Sequence, residues 1–188
     1  MVNNTFYFLR HGETTKDKSI PISRWKLSDK GIEQASELAD EQTFQNIDVV
    51  FASTEEKAFQ SAKPIADSIG KEILQVSELS ELKRDKGGFM KAEDYEKTLR
   101  FCLENLTQSL HNWETADHAL KRFLKKIEEI DSQYESKNIL IVGHSFTINL
   151  YFAQLLNKFD NVYQRFNQNN YTDWGIVRNK KVVKDIAS

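Results

Sequence analysis

The sequence predicts an α/β fold in which a mainly parallel sheet forms the middle of three layers, with helices on both faces. Short strand-like apolar runs alternate with longer helical stretches along the chain. Only 2 Pro and 7 Gly interrupt this pattern, and no linker, repeat or low-complexity tract divides it. Strands that alternate with helices form parallel sheets, because the connecting helices cover the faces of the sheet.

The first half of the chain opens with a strand and a helix. Residues 5–9 (TFYFL) predict the first strand, since aromatic residues favour strands. A helix then begins after Ser28, a residue type that caps helix N-termini. Its apolar positions recur at helical spacing, and they are Ile32, Ala35, Leu38 and Ala39.

A second strand and helix follow. Residues 47–52 predict a buried strand, and residues 54–69 predict a helix that ends at Gly70, because glycine commonly follows a helix C-terminus. Pro64 lies inside this helix and predicts a kink or a break, since proline lacks the N–H that the helix needs. A short third strand is expected at residues 72–76.

The second half begins with an irregular, charged segment at residues 78–91 that turns at Gly87 and Gly88. Two helices are expected at about 92–106 and 113–134, then the strongest strand of the chain at 138–142 and a helix at 148–156. Two final strands, 172–178 and 181–185, turn at Asn179 and Lys180. We expect one domain over residues 1–188, with residues about 78–112 as a cap-like insertion over the site.

The composition argues against several functional classes. The chain has 26 Lys and Arg against 28 Asp and Glu, and this net charge of −2 disfavours nucleic acid or an anionic membrane as a partner. No apolar run reaches the roughly 20 residues that span a bilayer, and the N-terminus lacks a secretory signal pattern. The single cysteine, Cys102, excludes an intramolecular disulfide and a cysteine-based zinc site. We expect a cytoplasmic protein, whose oligomeric state the sequence does not indicate.

Two histidines stand where predicted strands end. His11 follows the first strand, and His144 follows the strand at 138–142. Ligands of open parallel sheets bind beyond the carboxyl ends of the strands. A neutral imidazole can attack phosphorus, Arg10 offers a planar fork suited to phosphate, and N–H groups that open the following helix favour an anion. A lone histidine is usually structural, but two at one sheet edge favour phosphoryl chemistry.

Four segments in consistent order resemble the histidine phosphatase superfamily, which has a phosphoglycerate mutase-like fold. The sequence LRHGET at residues 9–14 resembles the signature of the family and is the most specific of the four. Residues 27–35 (LSDKGIEQA) resemble the first-helix segment of the family, and residues 52–62 resemble its second-helix segment. Residues 141–145 (IVGHS) resemble its late histidine motif.

The resemblance implies a covalent phosphohistidine mechanism that uses no metal or other cofactor and acts on a small phosphorylated substrate. His11 would accept the phosphoryl group, which Arg10 and His144 would hold with Ser145 beside them. Glu81 lies where the family has its proton-donating glutamate. Neighbouring carboxylates keep this choice open, and they are Glu78, Asp85 and Glu93.

The chain departs from the family pattern at two positions. Lys57 replaces an arginine that binds phosphate, which keeps the charge but loses the bidentate fork. Arg84 is a candidate to replace that fork, and a surface position is an equal alternative for it. Asp17 replaces a phosphate-facing asparagine, so either it turns away or the loop is built differently. The loop at residues 15–26 is short for the family, and it offers Ser23 and Arg24 as further contacts.

The reaction that we predict is hydrolysis of a phosphomonoester. A mutase must shield its phosphohistidine from water, and residues 71–137 leave little sequence for such a shield once the helices are built. The alternatives are a phosphoglycerate mutase-type phosphoryl transfer and a non-catalytic member that binds a phosphorylated ligand. Lys57 and Asp17 keep the last alternative open, whereas His11 together with Glu81 argues against it. A neutral histidine and a protonated glutamate predict an optimum on the acidic side of neutral.

Overall fold

The computed structural model describes residues 3–187, and its six strands form one sheet in the order β3-β2-β4-β1-β5-β6. The strands are β1 (Thr5–Arg10), β2 (Val49–Ser53), β3 (Ile73–Val76), β4 (Asn138–Gly143), β5 (Trp174–Arg178) and β6 (Lys181–Lys184). The helices are α1 (Asp29–Ala39), α2 (Glu56–Ser68), α3 (Ala92–Glu104), α4 (Ala116–Gln133), α5 (Ser145–Leu156) and α6 (Val162–Gln168). β1 to β4 are parallel, whereas β5 pairs antiparallel with both β1 and β6, so the predicted mainly parallel α/β sheet is confirmed.

Helices cover both faces of this sheet, because alternate residues of each strand point to opposite sides. In β4, Ile139 and Ile141 join an apolar cluster that contains buried residues of α3, α4 and α5. Leu140 and Val142 join a second cluster with residues of α1 and α2. Along the described residues 3–187, no helix combines the length and the apolar character needed to cross a membrane.

The ends of the elements are where prediction and structure differ most. α5 begins at Ser145 rather than at residue 148, and α4 begins after Thr115, whose side chain accepts the N–H of His118. The short α6 was not predicted, because seven residues carry too little periodic signal. The terminal hairpin is confirmed, and its turn residues Asn179 and Lys180 both have positive φ.

Two local details of the helices differ from prediction. α2 is one continuous helix through Pro64, so the predicted break is absent, and buried Ile65 and Ala66 hold the following turn in the second apolar cluster. Ile32 is 51% exposed rather than part of the buried face of α1. Ala35 and Leu38 are buried as predicted, and the third buried residue of α1 is Gly31, where a Cβ atom would lie 2.0 Å from the carbonyl oxygen of Glu13.

The strand order brings the ends of β1 and β4 together. The two strands are neighbours in parallel register, with Arg10 opposite Gly143. The next residue of each chain segment is a histidine, so His11 and His144 leave the sheet at the same edge. This edge is the carboxyl end, where ligands of open α/β sheets bind.

Candidate active site

His11 and His144 lie side by side at the carboxyl edge of the sheet. Their ring centroids are 5.1 Å apart, and the N–H of His11 donates to the carbonyl of Gly143 at 3.0 Å. Both side chains are buried. The structure thus brings together two residues that are 133 positions apart in the sequence, as the prediction of a shared site required.

The ring of His11 is held in one orientation. Its Nδ1 lies 2.7 Å from the carbonyl oxygen of Gly12, and because a carbonyl only accepts, Nδ1 carries the proton and Nε2 keeps its lone pair. Burial lowers the pKa of His11 well below the usual imidazole value, and the nearby His144 and Lys57 lower it further. His11 is therefore a neutral imidazole that lines a cavity and has a free Nε2.

Tight backbone packing shapes the loop that carries His11. The N–H of Gly12 donates to Ser61 Oγ at 3.0 Å, and the carbonyl of Glu13 accepts the N–H of Ser28 at 2.9 Å. A Cβ at Gly12 would lie 2.6 Å from the carbonyl oxygen of Gly31. The loop after β1 is thus fixed by the start of α1 and the middle of α2, so three segments that are separate in the sequence meet at this loop.

Arg10 reaches the cavity beside His11. Its Nη1 donates to the carbonyl of Asn169, and its guanidinium carbon lies 4.4 Å from the ring centroid of Tyr171. The side chain of Asn169 in turn accepts hydrogen bonds from Ser145 Oγ at 3.0 Å and Asn149 Nδ2 at 3.1 Å. Asn169 therefore orders both Arg10 and Ser145.

His144 is fully buried and does not line the cavity itself. Neither of its ring nitrogens has a hydrogen-bond partner among the described residues, although Nε2 lies 3.6 Å from Glu55 Oε1. Burial lowers the pKa of His144 well below its usual value, and the positive charges of Lys57 and Arg84 add to this effect. A buried polar group without a partner is costly, so these two unpaired nitrogens are an unusual feature beside His11.

Glu81 is a buried carboxyl group on the cavity wall. Its oxygens accept the N–H groups of Leu82 at 3.0 Å, Phe146 at 3.3 Å and Thr147 at 3.4 Å. Burial raises the pKa of Glu81, although Arg84 opposes this rise. The N–H groups at the start of α5, which we expected to favour a phosphate, therefore face Glu81 instead.

The other carboxylates considered for this role lie at the surface and do not line the cavity. Glu78 accepts a hydrogen bond from Ser77 Oγ at 2.9 Å, and Glu93 pairs with Lys97 at 2.7 Å. Asp85 accepts both the hydroxyl and the N–H of Ser23. Of these four carboxylates, Glu81 alone lines the cavity that His11 lines.

Glu55 is a residue of this site that the sequence analysis missed. Its Oε1 accepts the N–H of Glu81 at 2.8 Å, and its Oε2 forms an ion pair with Lys57 Nζ. Lys57 also donates to the carbonyl of Ile22 at 3.1 Å. The feature of the sequence that could have indicated Glu55 is a carboxylate two residues before Lys57 and two residues after the buried strand β2. This carboxylate offsets the positive charge that Lys57 brings to the cavity.

Arg84 lies in the cavity wall, and the alternative of a surface position is wrong. Its side chain is only 12% exposed, and its Nη1 lies 3.9 Å from Glu81 Oε2. The guanidinium carbon stands 5.1 Å from the ring centroid of Phe146 and 5.9 Å from that of Trp113. These rings and the carboxylate hold the guanidinium beside Glu81.

Three predicted contacts lie outside this cavity. Asp17 is exposed, and its carboxylate accepts the N–H of Ser19 at 2.8 Å and the hydroxyl of Ser19 at 2.6 Å, so it turns away. Ser23 donates to Asp85 through its N–H at 3.1 Å and its hydroxyl at 2.5 Å. Ser23 and Arg24 line a neighbouring cavity of about 370 Å³, because the loop at 15–26 passes beside the site.

Arg122 is a second residue without a sequence signal. Its guanidinium donates to the backbone carbonyls of Glu78 at 2.7 Å, Ser80 at 2.8 Å and Glu81 at 2.7 Å, and it pairs with Glu114 at 2.9 Å. These contacts hold the turn that carries Glu81. Backbone acceptors carry no residue identity, so the sequence could not indicate this role.

The cavity at His11 has a volume of about 400 Å³ and combines a charged floor with an apolar outer wall. Within residues 3–187, no group of three or more His, Cys, Asp or Glu side chains is placed to hold a metal ion. The side chains that line the cavity are Arg10, His11, Thr14, Lys16, Ile22, Trp25, Lys57, Glu81, Arg84, Phe89, Met90, Ala92, Tyr95, Glu96, Ser145, Phe146, Phe166 and Tyr171.

Solved structures with the same fold cover almost the whole chain. The mycobacterial glucosyl-3-phosphoglycerate phosphatase has a TM-score of 0.78 and 16% identity, covering 99% of this chain and 100% of that chain. A mutant phosphoserine phosphatase from Entamoeba histolytica, in complex with phosphoserine, has a TM-score of 0.78 and 21% identity. The match covers 96% of this chain and 94% of that chain. Bacillus stearothermophilus YhfR has a TM-score of 0.78 and 17% identity, and the match covers 98% of this chain and 100% of that chain. At these identities the likeness shows the phosphoglycerate mutase fold.

A search of curated protein sequences gives no significant match. The sequence profile of the histidine phosphatase superfamily (branch 1) matches residues 6–183. This range includes the four motif segments, which the fold gathers at one edge of the sheet. The chain therefore belongs to the histidine phosphatase superfamily.

Proposed function

We propose that the chain hydrolyses phosphomonoesters through a phosphohistidine on His11. The observation that carries this proposal is the neutral ring of His11, whose Nδ1 is bound to the Gly12 carbonyl and whose Nε2 is free at the cavity. A buried carboxyl group, Glu81, shares that cavity. Structures of the same fold that are described as phosphatases support the same reaction class.

In the first step, Nε2 of His11 attacks the phosphorus atom, a nitrogen–phosphorus bond forms and the bond to the leaving oxygen breaks. Glu81 gives its proton to that oxygen, and the alcohol leaves. In the second step, water attacks the phosphohistidine while the Glu81 carboxylate takes one of its protons. Phosphate leaves, and His11 is again neutral. The raised pKa of Glu81 suits this exchange, because the carboxyl must hold a proton when the substrate binds.

The phosphoryl oxygens would be held by groups that are already in place. Arg10 offers a guanidinium ordered by Asn169, and Ser145 offers a hydroxyl at the start of α5. His144, with two unpaired ring nitrogens, and Lys57 would add further contacts. Donors fixed before the substrate arrives stabilise the developing charge without reorganisation.

Hydrolysis is favoured over mutase-type transfer because solvent reaches the mouth of the cavity. Lys16 and Glu96 on the rim are exposed, and Phe89 is 50% exposed. A phosphohistidine that must be handed to a second oxygen needs a site closed to water. We propose that residues about 78–112 act as a partial cap, since Phe89, Met90 and Tyr95 form one wall of the cavity.

The proposed steps use only side chains of the chain, so we propose that the reaction needs no metal ion. A cytoplasmic location remains a prediction from the sequence. The non-catalytic alternative is disfavoured because a protein that only binds a phosphorylated ligand needs neither a free His11 nitrogen nor a buried carboxyl at Glu81 in one cavity.

The proposal is tested by measuring phosphate release from 4-nitrophenyl phosphate, with EDTA and no added metal. We expect release by the wild type and its loss in His11→Ala, whereas His118→Gln at an exposed histidine on α4 keeps full activity. Rapid quenching with radiolabelled substrate should trap an acid-labile phosphoryl group on the wild type only. Equal release by wild type and His11→Ala would refute the mechanism, and no release by the wild type would refute the activity.

A further inference from the structure

We propose that the outer part of the cavity binds an apolar, preferably aromatic, leaving group of the phosphomonoester and selects against a second anionic group. This inference rests on the proposed hydrolysis at His11 and names the class of substrate that the site accepts. Two sets of observations carry it, the apolar outer wall and the pairing of the cations in the floor.

The outer wall is apolar and largely fixed by packing. The ring of Phe166 lies 4.7 Å from that of Phe146, and the ring of Tyr95 lies 5.5 Å from that of Trp113. Phe89 and Met90 extend this wall to the rim, where Phe89 is half exposed. Rings that are already ordered lose little entropy when they bind a ligand, and apolar surface at the mouth of a polar site is suited to an apolar group.

Each cation of the cavity faces an acceptor, although Arg10 Nε and Arg84 Nε and Nη1 make no hydrogen bond within the described residues. Arg10 donates to the Asn169 carbonyl, and Lys57 is paired with Glu55. Arg84 faces the carboxyl of Glu81 at 3.9 Å. A phosphoryl group at His11 would engage Arg10 and Lys57, with Arg84 beside them, and the remaining cationic side chain of the cavity lining is the exposed Lys16.

The rim itself disfavours a second anion. Glu96 lines the cavity mouth, and its Oε1 accepts the hydroxyl of Tyr163, which holds the carboxylate in place. Lys16 at the mouth and Lys18, whose Nζ lies 4.9 Å from the Phe89 ring centroid, are exposed like Glu96, but along residues 3–187 neither forms an ion pair or a hydrogen bond that fixes its charge. A phosphorylated carboxylic acid would meet Glu96 and the apolar wall, whereas an aromatic alcohol would cover that wall.

The cavity is large enough for this occupant. Its volume of about 400 Å³ exceeds what a phosphoryl group alone requires, and it falls in the range of small-molecule sites. Burial of a phenyl ring favours binding by roughly tenfold or more in the equilibrium constant. We therefore expect a phenyl group on the leaving alcohol to raise kcat/KM by about that factor.

The experiment compares 3-phenylpropyl phosphate with propyl phosphate. Their leaving alcohols have closely similar acidity, so the ratio of kcat/KM reports the contribution of the ring rather than the chemistry. We expect a ratio of about ten or more, and lower kcat/KM for phosphoserine and 3-phosphoglycerate than for propyl phosphate. A ratio near one, or a preference for either acidic substrate, would overturn the inference while the proposed hydrolysis stands.

Variants of the wall and the rim test the location of this subsite. Phe89→Ala and Phe166→Ala should lower kcat/KM for 3-phenylpropyl phosphate at least about fivefold more than for propyl phosphate. Glu96→Gln should improve the acidic substrates selectively. Leu74→Ala removes an exposed apolar side chain on β3 and serves as the matched control with no change. If both Phe variants lose kcat/KM equally on 3-phenylpropyl phosphate and propyl phosphate, the phenyl ring of the substrate does not bind at this wall.

A binding measurement separates failure of this inference from failure of the proposed function. If no phosphomonoester, including 4-nitrophenyl phosphate, is hydrolysed, the proposed function is wrong. Calorimetry with 3-phenylpropylphosphonate and propylphosphonate, which cannot be hydrolysed, then tests the subsite alone. About tenfold tighter binding of the phenyl compound supports the apolar subsite, and equal affinities refute it.

Discussion

Lys57 is ion-paired with Glu55, and the side chains of the two residues are only 3% and 10% exposed. A buried pair of this kind is retained because removing either partner leaves the other charge without compensation. The pair lies where a phosphoryl group would need a positive charge, so Lys57 must give up part of its contact with Glu55 to bind phosphate. The carboxylate of Glu55 would therefore lower the affinity of the site for phosphate.

Replacement of Glu55 is expected to tighten phosphate binding. In Glu55→Gln the amide oxygen still accepts the N–H of Glu81, but Lys57 has no charged partner and is free to bind the anion. We expect the inhibition constant of inorganic phosphate to fall by about tenfold, the size of one charge-assisted contact. Glu56→Gln, at the exposed neighbouring glutamate, is the control and should change nothing. An unchanged constant in Glu55→Gln would contradict this account.

Arg84 is expected to contribute directly to phosphate binding. Its guanidinium lies on the cavity wall beside Glu81, and Arg84→Ala should raise the inhibition constant of phosphate by about tenfold. Lys83→Ala, at an exposed neighbour, should leave the constant as it is in the wild type. If Arg84→Ala shifts only the alkaline limb of the pH profile, Arg84 acts on the proton of Glu81 rather than on phosphate.

The pH dependence follows from the opposite shifts of two pKa values. Burial lowers the pKa of His11 below 6.5, so kcat/KM rises with pH as the ring loses its proton, and this limb lies in the acidic range. Burial raises the pKa of Glu81 above 4.5, so activity falls with increasing pH as the proton donor is lost. We expect a bell-shaped profile with its maximum on the acidic side of neutral. An alkaline maximum would contradict the assignment of Glu81.

The same assignment predicts a dependence on the leaving group. Glu81→Gln cannot donate a proton, so its activity should fall far more on propyl phosphate than on 4-nitrophenyl phosphate, whose phenolate leaves without one. The measurement is kcat/KM for both substrates in both proteins. Equal losses would mean that Glu81 supports the fold of the cavity rather than the departing oxygen.

Gly31 is expected to be essential for the loop that carries His11. Alanine usually stabilises a helix relative to glycine by about 1 kcal/mol, but here its Cβ would lie 2.0 Å from the carbonyl oxygen of Glu13. We expect Gly31→Ala to lower the free energy of unfolding by roughly 2 kcal/mol and to reduce activity, because the loop must shift. Denaturant unfolding measures the first effect. Ser36→Ala, on the exposed face of α1, should leave both quantities nearly unchanged.

The secondary structure of segments with a repeating local pattern could be predicted from the sequence. The order of strands and helices, the cap at Ser28 and the terminal hairpin follow from periodicity and from residue types with narrow conformational preferences. The pairing of His11 with His144 followed from the rule that carboxyl ends of parallel strands share an edge. These predictions succeeded because each depends on neighbours in the chain or on one general rule of topology.

The sequence by itself thus determined the α/β class, the family and the edge at which the two histidines meet. Only the tertiary structure decided that Glu55 neutralises Lys57, that Arg84 enters the cavity and that Asp17 turns away. It also decided that Arg122 holds the turn of Glu81 through backbone carbonyls. Side-chain direction, burial and charge pairing depend on segments far apart in the chain, and no local pattern encodes the distances between them.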